Sequence, residues 1–247
     1  MSETMLVARD IRKCFRIPSV RRETIREQLL HLGRPRQYEE LRVLDGVSLE
    51  VQAGETLGIM GRNGSGKSTL LKILCGIYRA DSGQVFRHGG ITPVLELGVG
   101  WNPELDAIDN ILLVGTFMGL ALSEARRSVD EVLAFAGLER FANQYLKYYS
   151  SGMASRLAYS LAFRAARDVV VLDEVFAVGD AEFKARCEKR YAELQSEGRA
   201  LILVSHEPGI ISHFCGRALL LEGGKVRLAG EAGAVAAAYL DLLGARA

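Results

Sequence analysis

Residues 61–69 read Gly61-Arg62-Asn63-Gly64-Ser65-Gly66-Lys67-Ser68-Thr69. This stretch decides the fold, because it is a complete phosphate-binding loop of the form G-x-x-x-x-G-K-[ST]. The apolar run 57–60 before it predicts a buried strand, and residues 69–74 after it predict the first turns of a helix. Glycines let the backbone wrap around an anion, and a helix N-terminus supplies fixed positive potential. The loop therefore predicts binding of a nucleoside triphosphate.

Two residues of the loop and two acids further along the chain predict the chemistry. Lys67 is expected to place a positive charge on the phosphates, and the Ser68 hydroxyl is the expected Mg²⁺ ligand. Residues 169–174 read V-V-V-L-D-E, which predicts a buried parallel strand ending in two carboxylates. Asp173 is expected to hold Mg²⁺ through water. Glu174 is expected to orient and deprotonate the attacking water.

Three further motifs follow in a fixed order. Residues 149–153 read Y-S-S-G-M before a helical stretch, Asp180 stands six residues after the second acid, and His206 follows the apolar strand 201–205. With the loop and the acidic strand, the chain resembles the nucleotide-binding subunits of ABC transporters, where the five motifs are called Walker A, signature, Walker B, D-loop and H-switch. The resemblance implies an α/β fold, a P-loop NTPase (ABC ATPase) core with an inserted helical signature subdomain. It also implies ATP and Mg²⁺ as cofactors.

The resemblance also assigns site residues. Glu174, His206 and Lys67 take the catalytic positions, with His206 as the γ-phosphate contact. The ATP-binding positions are Phe15, Gly61, Arg62, Asn63, Gly64, Ser65, Gly66, Lys67, Ser68, Thr69, Ser150, Ser151, Gly152 and Asp180. In this family ATP lies between the phosphate loop of one copy and the signature of a second, so a homodimer is expected. Phe15 aligns with the family's adenine-stacking aromatic residue, and core packing is the alternative interpretation.

Two positions depart from the usual family pattern. The common signature is L-S-G-G-Q, and Ser151 and Met153 replace a glycine and the glutamine here. Backbone geometry at the helix N-terminus does most of the signature's work, so the function is expected to survive. The glutamine-loop position aligns with Glu96, which could approach Mg²⁺, as a third metal ligand beside Ser68 and Asp173, or the attacking water.

One subgroup of the family shares these departures. The segments L-E-L-G at 95–98, W-N-P at 101–103 and D-E-V-F-A-V-G-D at 173–180 resemble the bacterial polysaccharide exporters. The resemblance implies an ATPase subunit that powers transport of a lipid-linked polysaccharide (O-antigen, capsule or teichoic acid). Its partners would be a second copy and transmembrane permease subunits, and through them the lipid-linked polymer. The expected location is the cytoplasmic face of the bacterial inner membrane, peripheral through the permease.

Two other function classes stay open at this point. One is an ABC ATPase of another transport system, either an importer or a lipid or drug exporter; importer subunits often carry a regulatory domain, and only about twenty residues follow Leu228. The other is a soluble ABC ATPase of DNA repair or translation. Those proteins carry a long coiled coil or two cassettes in one chain, and neither pattern is found here.

Composition fits a single domain. The 247 residues are 49% hydrophobic and 25% charged, with a net charge of +1, so no nucleic-acid partner is expected. No apolar run reaches the roughly 18 residues that span a bilayer. The charged residues among 1–13 argue against a signal peptide. The four cysteines, Cys14, Cys75, Cys187 and Cys215, have no metal or redox spacing and are expected to be reduced.

The organisation predicted along the chain is one ABC nucleotide-binding domain over 1–247, with a helical subdomain at about 98–160 and a C-terminal helix over 231–247. Strands are predicted at 5–15, 43–51, 217–221 and 225–228. A helix is predicted to begin at Ser123 and end at Gly137, and residues 111–122 to form a core helix.

The segment 16–42 is longer than this family usually needs between its adenine-stacking residue and its phosphate loop. It is predicted to hold an inserted amphipathic helix that starts near Pro18 and stops near Gly33. Its apolar stripe is Ile25, Leu29 and Leu32, and its arginines are Arg21, Arg22 and Arg26. A solvated surface helix is one interpretation. The other is a helix near the membrane that meets anionic lipid head groups or a lipid pyrophosphate.

Overall fold

Two β-sheets and eight α-helices carry the described residues, which in this computed structural model are 3–18, 38–95, 100–173 and 180–244. The strands are β1 Thr4–Pro18, β2 Tyr38–Gln52, β3 Thr56–Met60, β4 Ser82–Arg87, β5 Ile91–Val94, β6 Val169–Asp173, β7 Ala200–Val204, β8 Arg217–Glu222 and β9 Lys225–Glu231. The helices are α1 Lys67–Leu74, α2 Ala107–Phe117, α3 Leu122–Arg127, α4 Val129–Ala136, α5 Ser151–Arg164, α6 Ala181–Ser196, α7 Pro208–Phe214 and α8 Ala232–Gly244. Two short 3₁₀ turns, Glu139–Phe141 and Leu146–Tyr148, precede α5.

The larger sheet has the strand order β5-β6-β7-β3-β8-β9. Its first five strands are parallel and β9 runs antiparallel to β8 at the edge. Every residue of β3 and β7 is buried, because a parallel sheet is covered on both faces. Alternate residues face opposite sides: Leu201 and Leu203 pack towards α5, α6, α7 and α8, whereas Ile202 and Val204 pack towards α1 and the smaller sheet. The predicted α/β fold is confirmed.

The register of the larger sheet aligns the ends of the strands that carry the motifs. Ile59 of β3 and Asp173 of β6 both lie opposite Val204 of β7. Because these strands are parallel, their carboxyl ends meet at one edge, with β6 and β3 about 10 Å apart across β7. The phosphate loop leaves this edge after β3, Ser205 and His206 leave it after β7, and Asp173 lies at it as the last residue of β6.

The smaller sheet, β2-β1-β4, is antiparallel, and β1 pairs with β2 as far as Pro18 opposite Tyr38. These strands are longer than the predicted strands 5–15 and 43–51. The predicted helical insert 16–42 is therefore wrong at its two ends, where 16–18 and 38–42 form paired strands. The cross-strand ion pair between Arg16 and Glu40, 3.5 Å apart, helps to hold this extension. The predicted helix itself, with Arg21, Arg22 and Arg26, lies in 19–37, outside the described residues.

The helical subdomain of α2 to α5 has its own apolar core. Ile111, Val132, Leu133, Leu157 and Leu161 are among its buried members. The single helix predicted from Ser123 to Gly137 is wrong in one respect, since α3 and α4 are separated at Ser128. The Ser128 hydroxyl donates a hydrogen bond to the Ala125 carbonyl (2.9 Å), and such a bond competes with the helical pattern. Gly137 ends α4 in the left-handed conformation (φ 66°), as its position predicts.

The predicted core helix over 111–122 also has different bounds. Helix α2 begins earlier, at Ala107, and ends at Phe117. Asp106 caps its N-terminus by accepting a hydrogen bond from the Asp109 N–H (2.9 Å). Residues 118–121 then form a turn in which Gly119 has a φ of 92°. Among the described residues, none of the helices combines the length and apolar character needed to cross a bilayer.

The four cysteines are free thiols, as expected. Cys187 and Cys215 are buried in the core on the α6 side of the larger sheet, and Cys75 is partly buried beyond the end of α1. Burial raises the pKa of the Cys75, Cys187 and Cys215 thiols to about 12. These three cysteines are therefore protonated packing residues at neutral pH.

Candidate nucleotide site

The phosphate loop is positioned by hydrogen bonds from the β8–β9 turn and from its own lysine. Helix α1 begins at Lys67 directly after Gly66, whose φ of 102° turns the chain into the helix. The Gly224 N–H, from the β8–β9 turn, donates a hydrogen bond to the Ser65 carbonyl (3.2 Å). The Lys67 ammonium donates to the Gly61 carbonyl (2.6 Å) and to the Arg62 carbonyl (3.0 Å). The Lys67 side chain thus folds back over the phosphate loop, where it is predicted to bind the phosphates.

The loop fits a bound triphosphate. Arg62, Asn63 and Gly64 are exposed, whereas Ser65 is buried at the base of the loop. Within the described part of the chain, the Ser65 hydroxyl is a buried polar atom without a hydrogen-bond partner. A buried hydroxyl without a partner is costly, and an anion in the loop would supply the missing acceptor. The first N–H groups of α1 likewise have no carbonyl partner within the helix, which is the usual anion site at a helix N-terminus.

Gly66 allows a direct test of the loop's packing. A Cβ atom at this position would lie 2.8 Å from the Val43 carbonyl oxygen and 2.8 Å from Leu44, in addition to a strained φ. We expect Gly66→Ala to lower the free energy of unfolding by about 3 kcal/mol, because strain and overcrowding add. Gly64→Ala is the matched control, since Gly64 has a φ of 79° and nothing within 4 Å of an added Cβ. It should cost only about 1 kcal/mol of backbone strain in urea unfolding. Equal losses in both variants would contradict this packing account.

Two of the predicted catalytic side chains lie at the edge where the strands end. Asp173 is half-buried at the last position of β6, and His206 is exposed two residues after β7. Ser205, between β7 and His206, is buried, and its hydroxyl accepts a hydrogen bond from the Glu207 N–H (3.0 Å). Glu174 and Glu96, the predicted base and the predicted third metal ligand, lie outside the described residues. Their roles stay predictions.

The signature begins helix α5 and presents its N-terminus to solvent. Ser150 caps the helix, and its hydroxyl accepts a hydrogen bond from the Met153 N–H (3.2 Å). Ser151 and Gly152 are exposed in the first turn. A 14-residue helix is about 20 Å long. Ser150 therefore stands roughly that far from Arg164, at the other end of the helix.

Asp180 connects the signature helix to the core. Its side chain caps α6 by accepting a hydrogen bond from the Phe183 N–H (2.9 Å), and it pairs with Arg156 of α5 at 3.5 Å. Sequence reasoning did not find Arg156. The partner stands 24 positions away on another element, and only its place two turns after Ser150 could have drawn attention to it.

Phe15 lies near the outer end of β1 and is partly buried. Its ring packs edge-to-face against Tyr78, with centroids 5.9 Å apart and an interplanar angle of 69°. The ring has a packing partner, which supports core packing, and a partly open surface, which supports stacking on adenine. Both interpretations of Phe15 therefore stay open. Tyr78 is a second aromatic residue at this position that the sequence motifs did not indicate.

Comparison with known protein families matches a part of the chain that includes the phosphate loop, the signature and Asp173. A family model described as ABC transporter matches residues 44–177, which is more than half of the chain. This chain belongs to the ABC transporter family. The family assignment and the fold predicted from the sequence are confirmed.

Three curated relatives of this ABC cassette are bacterial proteins. The ABC transporter protein AbcA of Aeromonas salmonicida is 40% identical over 98% of this chain and 78% of its own length. The O-antigen export system ATP-binding protein RfbB of Myxococcus xanthus is 36% identical over 98% of this chain, which spans only 57% of that relative. RfbE of Yersinia enterocolitica, an O-antigen export system ATP-binding protein, is 31% identical over 90% of this chain and 96% of its own.

A solved structure with the same fold is the dimeric cassette MJ0796 in a post-hydrolysis state bound to ADP and Pi. It has a TM-score of 0.74 and covers 92% of this chain and 99% of its own. At 22% identity the likeness establishes the ABC cassette fold alone.

Proposed function

We propose that this chain is the ATP-hydrolysing subunit of an ABC exporter that moves a lipid-linked polysaccharide across the cytoplasmic membrane. The observation that carries the ATPase part is the strand register, which brings the ends of β3, β6 and β7 to one edge with the phosphate loop, Asp173 and His206. The polymer part is supported by relatives named for O-antigen export and teichoic acids export that are 31–36% identical.

Each residue of the proposed site has one task. Lys67, the free N–H groups of α1 and the buried Ser65 hydroxyl bind the phosphates, and Phe15 covers the base. Ser68, exposed in the first turn of α1, and Asp173 would hold Mg²⁺. Bound Mg²⁺ neutralises charge on the β- and γ-phosphates. Glu174 takes the proton of the attacking water and His206 contacts the γ-phosphate.

A second copy completes this site in our proposal. The N-terminus of α5, with Ser150, Ser151 and Gly152, belongs to the helical subdomain and is exposed, so its N–H groups could receive an anion held by another chain. Two copies in head-to-tail contact would place each signature on the other copy's ATP. Asp180 is ion-paired with Arg156 of α5, so it would transmit the movement of α5 to the core when that contact closes. Closing the sandwich excludes water, and hydrolysis reopens it.

The proposed partner in the membrane is a permease, which this chain would join at the cytoplasmic face of the inner membrane. Trp101 is half-buried and packs against the core of the helical subdomain, which leaves part of its ring open to a contact with the permease.

The cellular test replaces the host's own copy by Glu174→Gln. We expect surface polysaccharide to disappear and lipid-linked polymer to accumulate inside the membrane, because export would lack hydrolysis. Glu188→Gln is the matched control, since Glu188 is exposed on α6 away from the strand ends. Normal surface polymer in the Glu174→Gln strain would refute polysaccharide export. Loss of uptake of a nutrient, or a DNA-repair or translation defect with normal polymer, would support the other two classes.

The arginines of the insert give a separate prediction. Replacing Arg21, Arg22 and Arg26 by Ala should leave the basal ATPase rate of the purified subunit within about twofold, because they lie outside the phosphate and strand-end residues. Export in cells should fall several-fold if these side chains meet lipid or pyrophosphate head groups, since each basic residue near an anionic surface contributes about 1 kcal/mol. The Arg-to-Lys triple variant keeps the charge and should retain most export. Full export by the Ala variant would favour a solvated helix.

A further inference from the structure

Asp81 makes three hydrogen bonds to consecutive residues in the second half of β1. Its N–H donates to the Arg12 carbonyl (2.9 Å), and its carboxylate accepts from the Lys13 ammonium (2.7 Å) and from the Cys14 N–H (2.6 Å). Three bonds from one residue to three consecutive residues fix the path of the chain just before Phe15.

Strand β1 needs the contact with Asp81 near Cys14, because its regular backbone pairing is interrupted there. Strand β4 begins at Ser82, which lies opposite Arg12, so the described pairing between β1 and β4 ends there. On the other side, the pairing with β2 is irregular between Lys13 and Cys14. A break in register bends a strand and re-aims the side chains that follow. Asp81 supplies the bond to Cys14 that the β4 backbone does not supply at this position.

The same contact also orients Phe15. The Lys13 ammonium, held by Asp81, lies over the Phe15 ring at 5.4 Å from its centroid. Tyr78 packs its ring edge-to-face with Phe15. With a cation over one face of the ring, a stacking base is left with the opposite face.

Tyr78 and Asp81 belong to one connection that starts at the phosphate-loop helix. The Ile77 and Tyr78 N–H groups both donate to the Lys72 carbonyl, at 2.8 and 3.0 Å, at the C-terminal end of α1. Helix α1 begins at the phosphate loop, and the connection that follows it carries Tyr78 and Asp81. This one part of the chain therefore also sets the position of the Phe15 ring. The covalent chain of a nucleotide limits how far its base can lie from its phosphates, so a direct connection between the two contact regions suits one.

We propose that Asp81 is a positioning residue for the nucleotide base, acting through Lys13 and Phe15, and that Tyr78 supports the same ring. The proposal rests on the proposed binding of ATP at the phosphate loop. The hydrogen bond from Lys13, and after it the bond from the Cys14 N–H, lowers the pKa of the Asp81 carboxyl, which keeps it ionised at neutral pH.

The test measures equilibrium binding of ATP and of inorganic tripolyphosphate to the full chain, by competition with a fluorescent ATP analogue. Asp81→Ala should weaken ATP binding about five- to twentyfold, the range expected for a misaligned aromatic and cation contact, and leave tripolyphosphate binding within twofold. Lys13→Met should do the same in part, and Lys13→Arg should restore ATP affinity. At saturating ATP, kcat should change less than KM. Glu104→Ala is the matched control, since it removes an ion pair of equal length, 2.7 Å to Lys147, on the helical subdomain.

A double-mutant comparison gives the sharpest outcome. If Asp81 acts through Phe15, then Asp81→Ala in a Phe15→Ala background should weaken ATP binding no further. Equal weakening in both backgrounds, a parallel loss of tripolyphosphate affinity, or unchanged ATP affinity in Asp81→Ala and Lys13→Met would overturn the proposal. Failure of the unmodified chain to bind ATP, with tripolyphosphate still bound, would overturn the proposed function and this inference with it.

Discussion

Glu174→Gln should bind ATP with near-normal affinity and hydrolyse it about 10²–10⁴-fold more slowly, the loss typical of a missing general base. The amide keeps the size of the side chain and loses the ability to take a proton from water. Glu174 directly follows Asp173 in the sequence, and Asp173 lies at the edge where the register brings β6 beside β7. The measurement is phosphate release at saturating MgATP, with ATP affinity determined separately.

The interpretation of that result depends on the control. Glu188→Gln carries the same chemical change on the exposed face of α6 and should retain the rate of the unmodified chain. Turnover within a few-fold of normal in Glu174→Gln would remove this residue from the role of base. Loss of ATP binding in the same variant would assign it to binding instead.

Lys67→Ala should weaken ATP binding about 100-fold, a separate defect from that of Glu174→Gln. The ammonium now donates to two loop carbonyls, 2.6 and 3.0 Å away, and is expected to move onto the phosphates when ATP enters. Charged hydrogen bonds contribute about 1.5–3 kcal/mol each, which is the basis of this magnitude. Lys184→Ala, at an exposed position of α6, is the control and should bind ATP normally. Unchanged ATP affinity in Lys67→Ala would contradict the assignment of the phosphate site.

Much of the core could be predicted because its signals are local. The glycine spacing alone predicts the phosphate loop. The apolar run 169–172 predicts a buried parallel strand even when the neighbouring strands are unknown. The order of the motifs then supplied the family, which the comparisons confirmed.

Most of the missed features depend on contacts between distant parts of the chain. The outer halves of β1 and β2 hold together through pairs such as Arg16 with Glu40, and nothing local in 16–18 or 38–42 distinguishes a strand from a helix end. The break at Ser128 is the exception, since it is local: the residue is compatible with a helix interior by composition, yet α3 ends at Arg127 and α4 begins at Val129, and the Ser128 hydroxyl donates a hydrogen bond to the Ala125 carbonyl. Asp81 stands 67 residues from Cys14. No spacing rule joins positions that far apart.

The central claim is that ATP binds between two copies of this chain, with the signature of one on the phosphates of the other. Multi-angle light scattering of Glu174→Gln with and without MgATP tests it most directly, because blocked hydrolysis should trap the closed form. The account predicts a monomer without nucleotide and a dimer with MgATP. It also predicts that adding Gly152→Glu, which places a negative charge at the exposed N-terminus of α5 facing the partner's phosphate, keeps the protein monomeric with ATP bound. A Glu174→Gln protein that stays monomeric with ATP bound, or a dimer that Gly152→Glu does not disturb, would contradict the claim.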